Sequence, residues 1–170
     1  MLKKNLELKS LPVISFPTVE DVDAIQGLIS QFSVNSKSPR VLLPRSEESI
    51  LTDLHSFILL KMDEVIVGCV SLKIWSRDRA EVRSLAVKPG LQGYGIGKQL
   101  LKELSTRAKQ LKIKTLFALT VTPEFFKKSG FHVVPKLRFP EKIVGDCLNC
   151  SFQTNCLEVA VSKTLLRAIK

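Results

Sequence analysis

The sequence lacks any apolar run approaching the roughly 20 residues that a membrane span requires. Its first residues, MLKKNLELKSLPVISF, carry positive charge but no continuous apolar stretch and no small-residue cleavage site of the kind that secretory signals have. We therefore predict a cytoplasmic protein with no membrane partner. A chain of 170 residues, 45% apolar and 25% charged, suits a single domain over residues 1–170, with residues 1–12 interpreted as an N-terminal arm.

Aromatic residues are scarce: one tryptophan, one tyrosine and nine phenylalanines. They do not alternate with basic residues, as they would in a surface that stacks single-stranded bases. The formal net charge is nevertheless +10, from 26 Lys and Arg against 16 Asp and Glu. A solvated basic surface is the favoured interpretation, followed by attraction of a phosphorylated or dicarboxylate small molecule. Nucleic acid ranks last, and we expect no nucleic-acid partner.

The cysteine pattern is too short for a closed zinc site. Cys147, Cys150 and Cys156 form C-x2-C-x5-C, but the second cysteine or histidine pair of a structural zinc site is missing. Asp146 or His132 would have to complete the ligand set. We therefore expect no metal and favour reduced structural thiols.

The stretch Gln92 to Gly97, QGYGIG, lies between an apolar strand pattern and a helical pattern. The strand pattern runs from Val82 to Val87, and the helical face comprises Leu100, Leu104, Ala108 and Leu111. A glycine loop at a helix start gathers unpartnered N–H groups at the positive end of the helix dipole, which suits an anion. A phosphate is the predicted guest, and a simple chain-reversing turn is the alternative.

Spacing excludes two familiar phosphate loops. A Walker loop needs four residues between its glycines and then Lys followed by Ser or Thr, whereas Gly93 and Gly97 enclose three residues and Gln99 follows Lys98. In a dinucleotide G-x-G-x-x-G loop the last glycine would come one residue later than it does here. The pattern that fits is Q/R-x-x-G-x-G/A.

The strand pattern AEVRSLAV, which begins at Ala80, contains a glutamate where a core residue is expected. Strict alternation puts Glu81, Arg83 and Leu85 on one face of the strand. A buried carboxylate costs several kcal/mol unless it is paired or neutralised. Two interpretations follow: Arg83 pairs with Glu81 as a structural partner, or Glu81 acts as a general base in a partly dry cleft.

Arg45 precedes a predicted helix start. Ser46 is a good N-cap for a helix that opens with Glu47 and Glu48. Position alone favours an exposed arginine that pairs with one of these two glutamates.

Other patterns predict a sheet with a few helices. Helices are expected to begin near Thr18 and at Thr122, and residues Ser33 to Arg40 read as a loop. Strands are predicted at Val13–Phe16, Phe57–Met62, Val65–Trp75, Thr115–Val121, Phe131–Val134 and Leu157–Leu166, the second and third forming a hairpin.

Three ordered motifs resemble the GNAT superfamily of N-acetyltransferases: AEVRSLAVKP, the glycine loop, and PEFFKKSGF. The resemblance covers about residues 13–166 and implies an α/β GNAT fold, a mixed and mostly antiparallel sheet flanked by helices. It also implies acetyl-CoA as co-substrate, with Glu81 in the position of the general base. The positions that would hold the pantetheine arm and pyrophosphate are Leu85, Ala86, Val87, Gln92, Gly93, Tyr94, Gly95, Ile96, Gly97 and Lys98.

LLPRS, the stretch from Gly68, and the D-C-x-x-C motif are also similar to the short arginine-biosynthetic N-acetylglutamate synthases. That resemblance implies an amino-acid N-acetyltransferase in which Arg45 and Arg83 hold the carboxylates of L-glutamate. A guanidinium makes bidentate bonds to a carboxylate, so two suit a dicarboxylate. Another amine acceptor (another amino acid, a polyamine or a protein N-terminus) and a non-catalytic acyl-CoA-binding module are the alternatives, and a homodimer is left open.

One position departs from the GNAT pattern. Many members carry a tyrosine general acid in the third motif, where this chain has Phe126, which cannot donate a proton. The thiolate then takes its proton from water or from another group. Tyr94, in the glycine loop, is the one tyrosine of the chain.

Overall fold

A computed structural model describes residues 11–33 and 42–166. The predicted N-terminal arm, up to residue 10, and the predicted loop from residue 34 onward lie outside the described residues. The strands are β1 (Val13–Ser15), β2 (Phe57–Met62), β3 (Val65–Ile74), β4 (Arg79–Val87), β5 (Thr115–Thr120), β6 (His132–Val134) and β7 (Val159–Thr164). The helices are α1 (Val22–Ser30), α2 (Glu47–Thr52), α3 (Ile96–Gln110), α4 (Pro123–Lys127) and α5 (Pro140–Lys142).

The strands form a seven-stranded sheet in the order β1-β2-β3-β4-β5-β7-β6. Within the described residues, β4 and β5 pair in parallel and every other neighbouring pair is antiparallel. The predicted mixed, mostly antiparallel sheet flanked by helices is therefore confirmed.

The hairpin of β2 and β3 follows from its two turn residues. Asp63 and Glu64 have φ of 47° and 62°. Positive φ at both central residues is the requirement of the turn whose twist matches that of the flanking strands. The predicted hairpin is confirmed, and its second strand ends at Ile74, one residue before the predicted end at Trp75.

Helices cover both faces of the sheet. On one face, α3 buries Leu100, Leu104 and Ala108 completely. On the other face, α1 and α2 bury Ile25, Ile29 and Ile50 completely. The helical spacing in the sequence predicted these three residues of α3 correctly, but the prediction was wrong for Leu111, which is 48% exposed and follows the last residue of the helix.

A β-bulge in β4 interrupts the alternation that the sequence suggested. Cys69 pairs with Ala86 and Ser71 pairs with Arg83, so β4 advances by three residues over a stretch in which β3 advances by two. The extra residue falls beside Ser84, whose φ is 52°. Beyond the bulge, side chains that strict alternation would place on one face of the sheet lie on the opposite face.

The exchange corrects the predicted face of Leu85. Leu85 packs against the same core as Ala80 and Val82, whereas Glu81 points to the opposite face. The prediction that Glu81, Arg83 and Leu85 share one face is therefore wrong for Leu85.

A compact segment over residues 139–147, which we call the flanking segment, was not predicted. It contains α5 and a π-helical turn at Ile143–Cys147. The ring of Phe139 stacks on Phe117 of β5, with centroids 3.9 Å apart and planes 7° apart. This stacking places the segment on the sheet face that carries Glu81.

Candidate active site

The site is a gap between the two parallel strands. Arg79–Glu81 of β4 pair with Thr115–Phe117 of β5, and the pairing stops there. Beyond that point both strands, through residues 82–87 and 118–120, line a cavity of about 620 Å³. The separated strands leave backbone groups of β4 available to a ligand that enters the gap.

The glycine loop borders one end of this cavity. Gly95 is the N-cap of α3 with φ of 85°, and Gly93 has φ of 87°. Gly95 has no side chain to accept from the first N–H groups of α3, so these groups suit an anionic ligand. The predicted loop residues that line the cavity are Gln92, Gly93, Gly95, Gly97 and Lys98, and Leu85, Ala86 and Val87 of β4 line it too.

Two predicted loop residues have side chains elsewhere. Ile96 is 5% exposed and packs in the core beneath the loop. Tyr94 is 59% exposed, and the described lining of the cavity does not include it.

Replacing Gly95 with Ala is expected to destabilise the fold by about 1–2 kcal/mol, because its φ of 85° disfavours any residue with a Cβ. Gly27→Ala is the matched control. A Cβ would meet no atom within 4 Å at either position, but Gly27 lies in α1, so Ala there should stabilise by about 0.5–1 kcal/mol. Urea unfolding measures both, and equal effects would contradict a conformational role for Gly95.

Glu81, near the start of β4, also lines the cavity and is 3% exposed. The indole Nε1 of Trp75 donates to its Oε2 at 2.9 Å. The ammonium of Lys142 lies 2.9 Å from Oε1, and Nε of Arg83 lies 3.8 Å from Oε2. The sequence-based pairing of Glu81 with Arg83 therefore exists, but Lys142 is the closer cation.

Arg83 has a second acidic partner. Its Nη2 lies 3.0 Å from Oδ2 of Asp146, which also accepts from Lys142 at 2.7 Å. Burial alone would raise the pKa of Asp146, but the hydrogen bond from Lys142 and the positive charges of Arg83, Lys142 and Lys73 lower it on balance. Asp146 is therefore a carboxylate that orients the guanidinium of Arg83.

Arg45 lines the same cavity, but its partner is not the predicted one. Its Nη2 lies 2.7 Å from Oδ2 of Asp53 and donates to the carbonyl of Ser49 at 2.8 Å, so the expected pairing with Glu47 or Glu48 is wrong. Its side chain is 8% exposed, not a surface group. The reason is that Ser46 caps α2 as predicted, with its oxygen 3.2 Å from N of Ser49, and the helix turns Asp53 toward the arginine.

One guanidinium nitrogen of Arg45 is unsatisfied. Nη1 is buried and has no hydrogen-bond partner in the described part of the chain. A buried donor without an acceptor costs about 1–3 kcal/mol, so the position favours an anionic ligand that would supply one. Since Nη1 is enclosed, neighbouring side chains must shift for a ligand to reach it.

Phe126 is a core residue. It is 5% exposed and packs edge-on against Phe131, with centroids 5.3 Å apart. The position that holds tyrosine in many GNAT enzymes thus stabilises the fold.

The hydroxyls of Thr120 and Thr122, which the sequence did not single out, lie 3.1 Å apart, and both residues line the cavity.

The four cysteines are free thiols. Among residues 11–33 and 42–166, no group of three or more His, Cys, Asp or Glu side chains is arranged to hold a metal. Cys156 lies 3.2 Å from Nζ of Lys136, and burial raises the pKa of the Cys147 thiol. The three cysteines of the motif are therefore partly buried thiols, and Cys156 lies beside Lys136.

Cys69 is expected to resist thiol reagents in the folded protein. It is fully buried in β3, and burial raises the pKa of its thiol to about 12, so almost no thiolate exists at pH 8. Ellman's reagent should modify three thiols, at partly exposed Cys147, Cys150 and Cys156, and a fourth only after unfolding in urea. Rapid reaction of Cys69 in the native protein would contradict its burial.

The sequence pattern of the Acetyltransferase (GNAT) family matches residues 22–131, more than half of the chain. The chain belongs to this family. It is a GNAT N-acetyltransferase, and the cavity between β4 and β5 is its candidate active site. No helix of the described residues is long and apolar enough to cross a membrane.

Individual relatives have more specific names than the family. An uncharacterized N-acetyltransferase of Chlorobaculum tepidum is 31% identical over 81% of this chain and 88% of its own. The amino-acid acetyltransferase of Pasteurella multocida is 30% identical over 81% of this chain, which spans 31% of that longer protein. The N-acetylglutamate synthase of Neisseria gonorrhoeae, solved with coenzyme A and N-acetyl-glutamate, superposes with a TM-score of 0.81 at 28% identity. That superposition covers 93% of this chain and 36% of the other.

Sequence reasoning missed two residues around Glu81, Trp75 and Lys142. It also missed Asp53, the ion-pair partner of Arg45. Lys142 carried no signal because PEK at 140–142 is typical of an exposed turn. Asp146 was considered only as a metal ligand beside the cysteines, whereas it pairs with Arg83.

Proposed function

We propose that this enzyme transfers the acetyl group of acetyl-CoA to the α-amine of L-glutamate, a reaction of arginine biosynthesis. The observation that carries the proposal is that Glu81, Arg83 and Arg45 line one cavity together with the glycine loop. The similarity to proteins named amino-acid acetyltransferase, and to a synthase solved with N-acetyl-glutamate, supports the same acceptor.

The donor would bind along the gap. In this proposal the first N–H groups of α3 and the ammonium of Lys98 hold the pyrophosphate, because a helix N-terminus and a cation both stabilise negative charge there. The pantetheine arm pairs with the backbone of Leu85, Ala86 and Val87 where β4 has left β5. The thioester then lies between the strands, toward Glu81.

Glu81 would serve as the general base. It takes a proton from the α-ammonium directly or through a water, and the free amine attacks the thioester carbonyl. The new C–N bond forms as the C–S bond breaks, and the nitrogen loses its second proton to the leaving thiolate, directly or through water, which gives the amide and the free thiol of CoA. Each oxygen of Glu81 already has a protein partner, but a carboxylate offers about four acceptor positions, so one remains for the ammonium or the water.

Arg83 and Arg45 would hold the two carboxylates. Arg83 uses one nitrogen toward Asp146, which leaves other N–H groups of its fork for a ligand. Arg45 has the unsatisfied Nη1 described above. Two guanidinium groups in one cavity favour a dicarboxylate over a polyamine, whose positive charges they would repel.

Initial rates on L-glutamate, L-glutamine and spermidine test the proposal. Loss of one carboxylate–guanidinium contact is worth about 1.5–3 kcal/mol, so kcat/KM for glutamate should exceed that for glutamine by about 10- to 100-fold. Preference for spermidine would refute the dicarboxylate acceptor and leave the acetyltransferase chemistry intact. Binding of acetyl-CoA by calorimetry without turnover of any amine would favour a non-catalytic acyl-CoA-binding module.

A further inference from the structure

The flanking segment (residues 139–147) is anchored on the sheet at several points. Besides the Phe139 ring stack, Nη1 of Arg79 reaches both carboxylate oxygens of Glu141 at 3.1 Å. Gly145 lies against Trp75 so closely that a Cβ there would be 2.7 Å from Cζ3 of the indole. The flanking segment is therefore held in one defined position on the sheet face that carries Glu81.

Lys142 is the centre of this contact. The residue is 5% exposed, its Nζ lies 2.9 Å from Oε1 of Glu81 and 2.7 Å from Oδ2 of Asp146, and its ammonium lies 5.7 Å from the centroid of the Trp75 ring. Asp146 in turn lies 3.0 Å from Arg83. Two cations and two anions thus form one closed cluster.

One side of the cluster faces the cavity and the other side faces away from it. The described lining of the cavity includes Glu81 and Arg83 but neither Lys142 nor Asp146. The two residues that would touch the acceptor are therefore held from behind by the two that would not. This arrangement fixes the side-chain directions of Glu81 and Arg83 before any ligand binds.

Lys142 and Asp146 are four residues apart, and a π-helical turn follows Lys142. N of Leu148 donates to O of Ile143 at 3.0 Å, five residues back, and the turn places Asp146 on the same side as Lys142. Such π-helical turns are rare and occur frequently at functional sites.

Stability alone is a weak reason for the cluster. Well-packed apolar residues in place of a buried ion pair are often neutral or stabilising, because the charges must be desolvated. We propose that Lys142 is a positioning residue, which orients the base Glu81 directly and the carboxylate-binding Arg83 through Asp146. The proposal rests on the roles of Glu81 and Arg83 in the proposed function.

Lys142→Met tests the proposal, with Lys114→Met as the matched control, because Lys114 forms an exposed ion pair with Asp78. A misplacement of about 1 Å at a reacting group can cost about 10²-fold, so kcat of Lys142→Met should fall by that order while KM for acetyl-CoA stays constant. Lys142→Arg, which keeps the charge, should recover part of kcat. Lys114→Met should match the wild type.

The pH profile separates positioning from a purely structural role. The charged groups near Glu81 are Arg83 on its own strand, Lys73 on β3, and Lys142 and Asp146 on the flanking segment. Removing Lys142 takes a positive charge from the base, so the acidic limb of the kcat/KM profile should move to higher pH. An unchanged kcat and an unchanged profile in a folded Lys142→Met enzyme would overturn the proposal.

Gly145→Ala provides a second route if Lys142→Met does not fold. The added methyl must displace Trp75 or the flanking segment, whereas Gly27→Ala adds a methyl in open space. Gly145→Ala should lower kcat at least tenfold, with acetyl-CoA binding unchanged by calorimetry. Full activity of folded Gly145→Ala would overturn the proposal.

These measurements use whichever amine the wild-type enzyme acetylates fastest. A wild-type preference for an amine other than glutamate therefore refutes only the proposed acceptor. An unchanged Lys142→Met enzyme refutes the positioning role, whatever the acceptor is.

Discussion

Glu81→Gln is expected to lower kcat by about 10²- to 10⁴-fold, the usual contribution of a positioned general base. Gln keeps the shape of the side chain and can still accept from Trp75, but it cannot take a proton from the ammonium. Because Glu81 is near the start of β4 and the glycine loop follows the end of that strand, KM for acetyl-CoA should change little. Steady-state kinetics with acetyl-CoA and L-glutamate measure both constants.

The matched control is Glu124→Gln. Glu124 is an exposed glutamate of α4 whose ion-pair partner is Lys127, at 2.7 Å. Its substitution should leave kcat near the wild-type value. If Glu81→Gln retained the wild-type turnover and pH profile, the base would lie elsewhere.

Arg45→Lys is expected to raise KM for L-glutamate by about 10- to 100-fold with little change in KM for acetyl-CoA. Lysine keeps the positive charge but loses the planar fork that binds a carboxylate bidentately. The expected factor corresponds to one hydrogen bond to a charged group, about 1.5–3 kcal/mol.

Asp53→Asn separates ligand binding from the structural role of Arg45. It weakens the 2.7 Å ion pair that holds the guanidinium at α2 but leaves the guanidinium itself in place. KM for glutamate should therefore rise much less than in Arg45→Lys. Equal effects of the two substitutions would show that Arg45 acts through its contact with α2 rather than on the substrate.

Local rules predicted the parts of the fold whose cause is local. The Ser46 cap, the hairpin and the buried face of α3 each depend on a few adjacent residues, and all three are present. The glycine loop also followed from local chemistry, since Gly93 and Gly95 both adopt positive φ. Its place beside the cavity required the fold as well.

The face of Leu85 could not be predicted, because nothing in the sequence marks the bulge. Ser84 is an ordinary strand residue in composition, yet its φ is 52°. The bulge depends on pairing with β3, where Ser71 Oγ donates to O of Arg83 at 3.3 Å and Cys69 Sγ donates to O of Ser84 at 3.4 Å. These partners are distant in sequence.

The support behind Glu81 was missed for a similar reason. Lys142 is 61 positions from Glu81 in the printed sequence, and a lysine in a Pro-Glu-Lys turn usually faces water. Its burial depends on the ring stack of Phe117 and Phe139 and on the close approach of Gly145 to Trp75. The sequence indicates that a buried glutamate needs a partner, but tertiary packing determines which cation pairs with it.

A crystal structure with coenzyme A and N-acetyl-L-glutamate tests the central claim most directly. We predict the pyrophosphate at the N-terminus of α3, the sulfur between β4 and β5, and the amide nitrogen within hydrogen-bond reach of Glu81, directly or through one water. The two carboxylates should contact Arg83 and Arg45. A product whose carboxylates point to solvent, or whose amide nitrogen lies away from Glu81, would contradict the account.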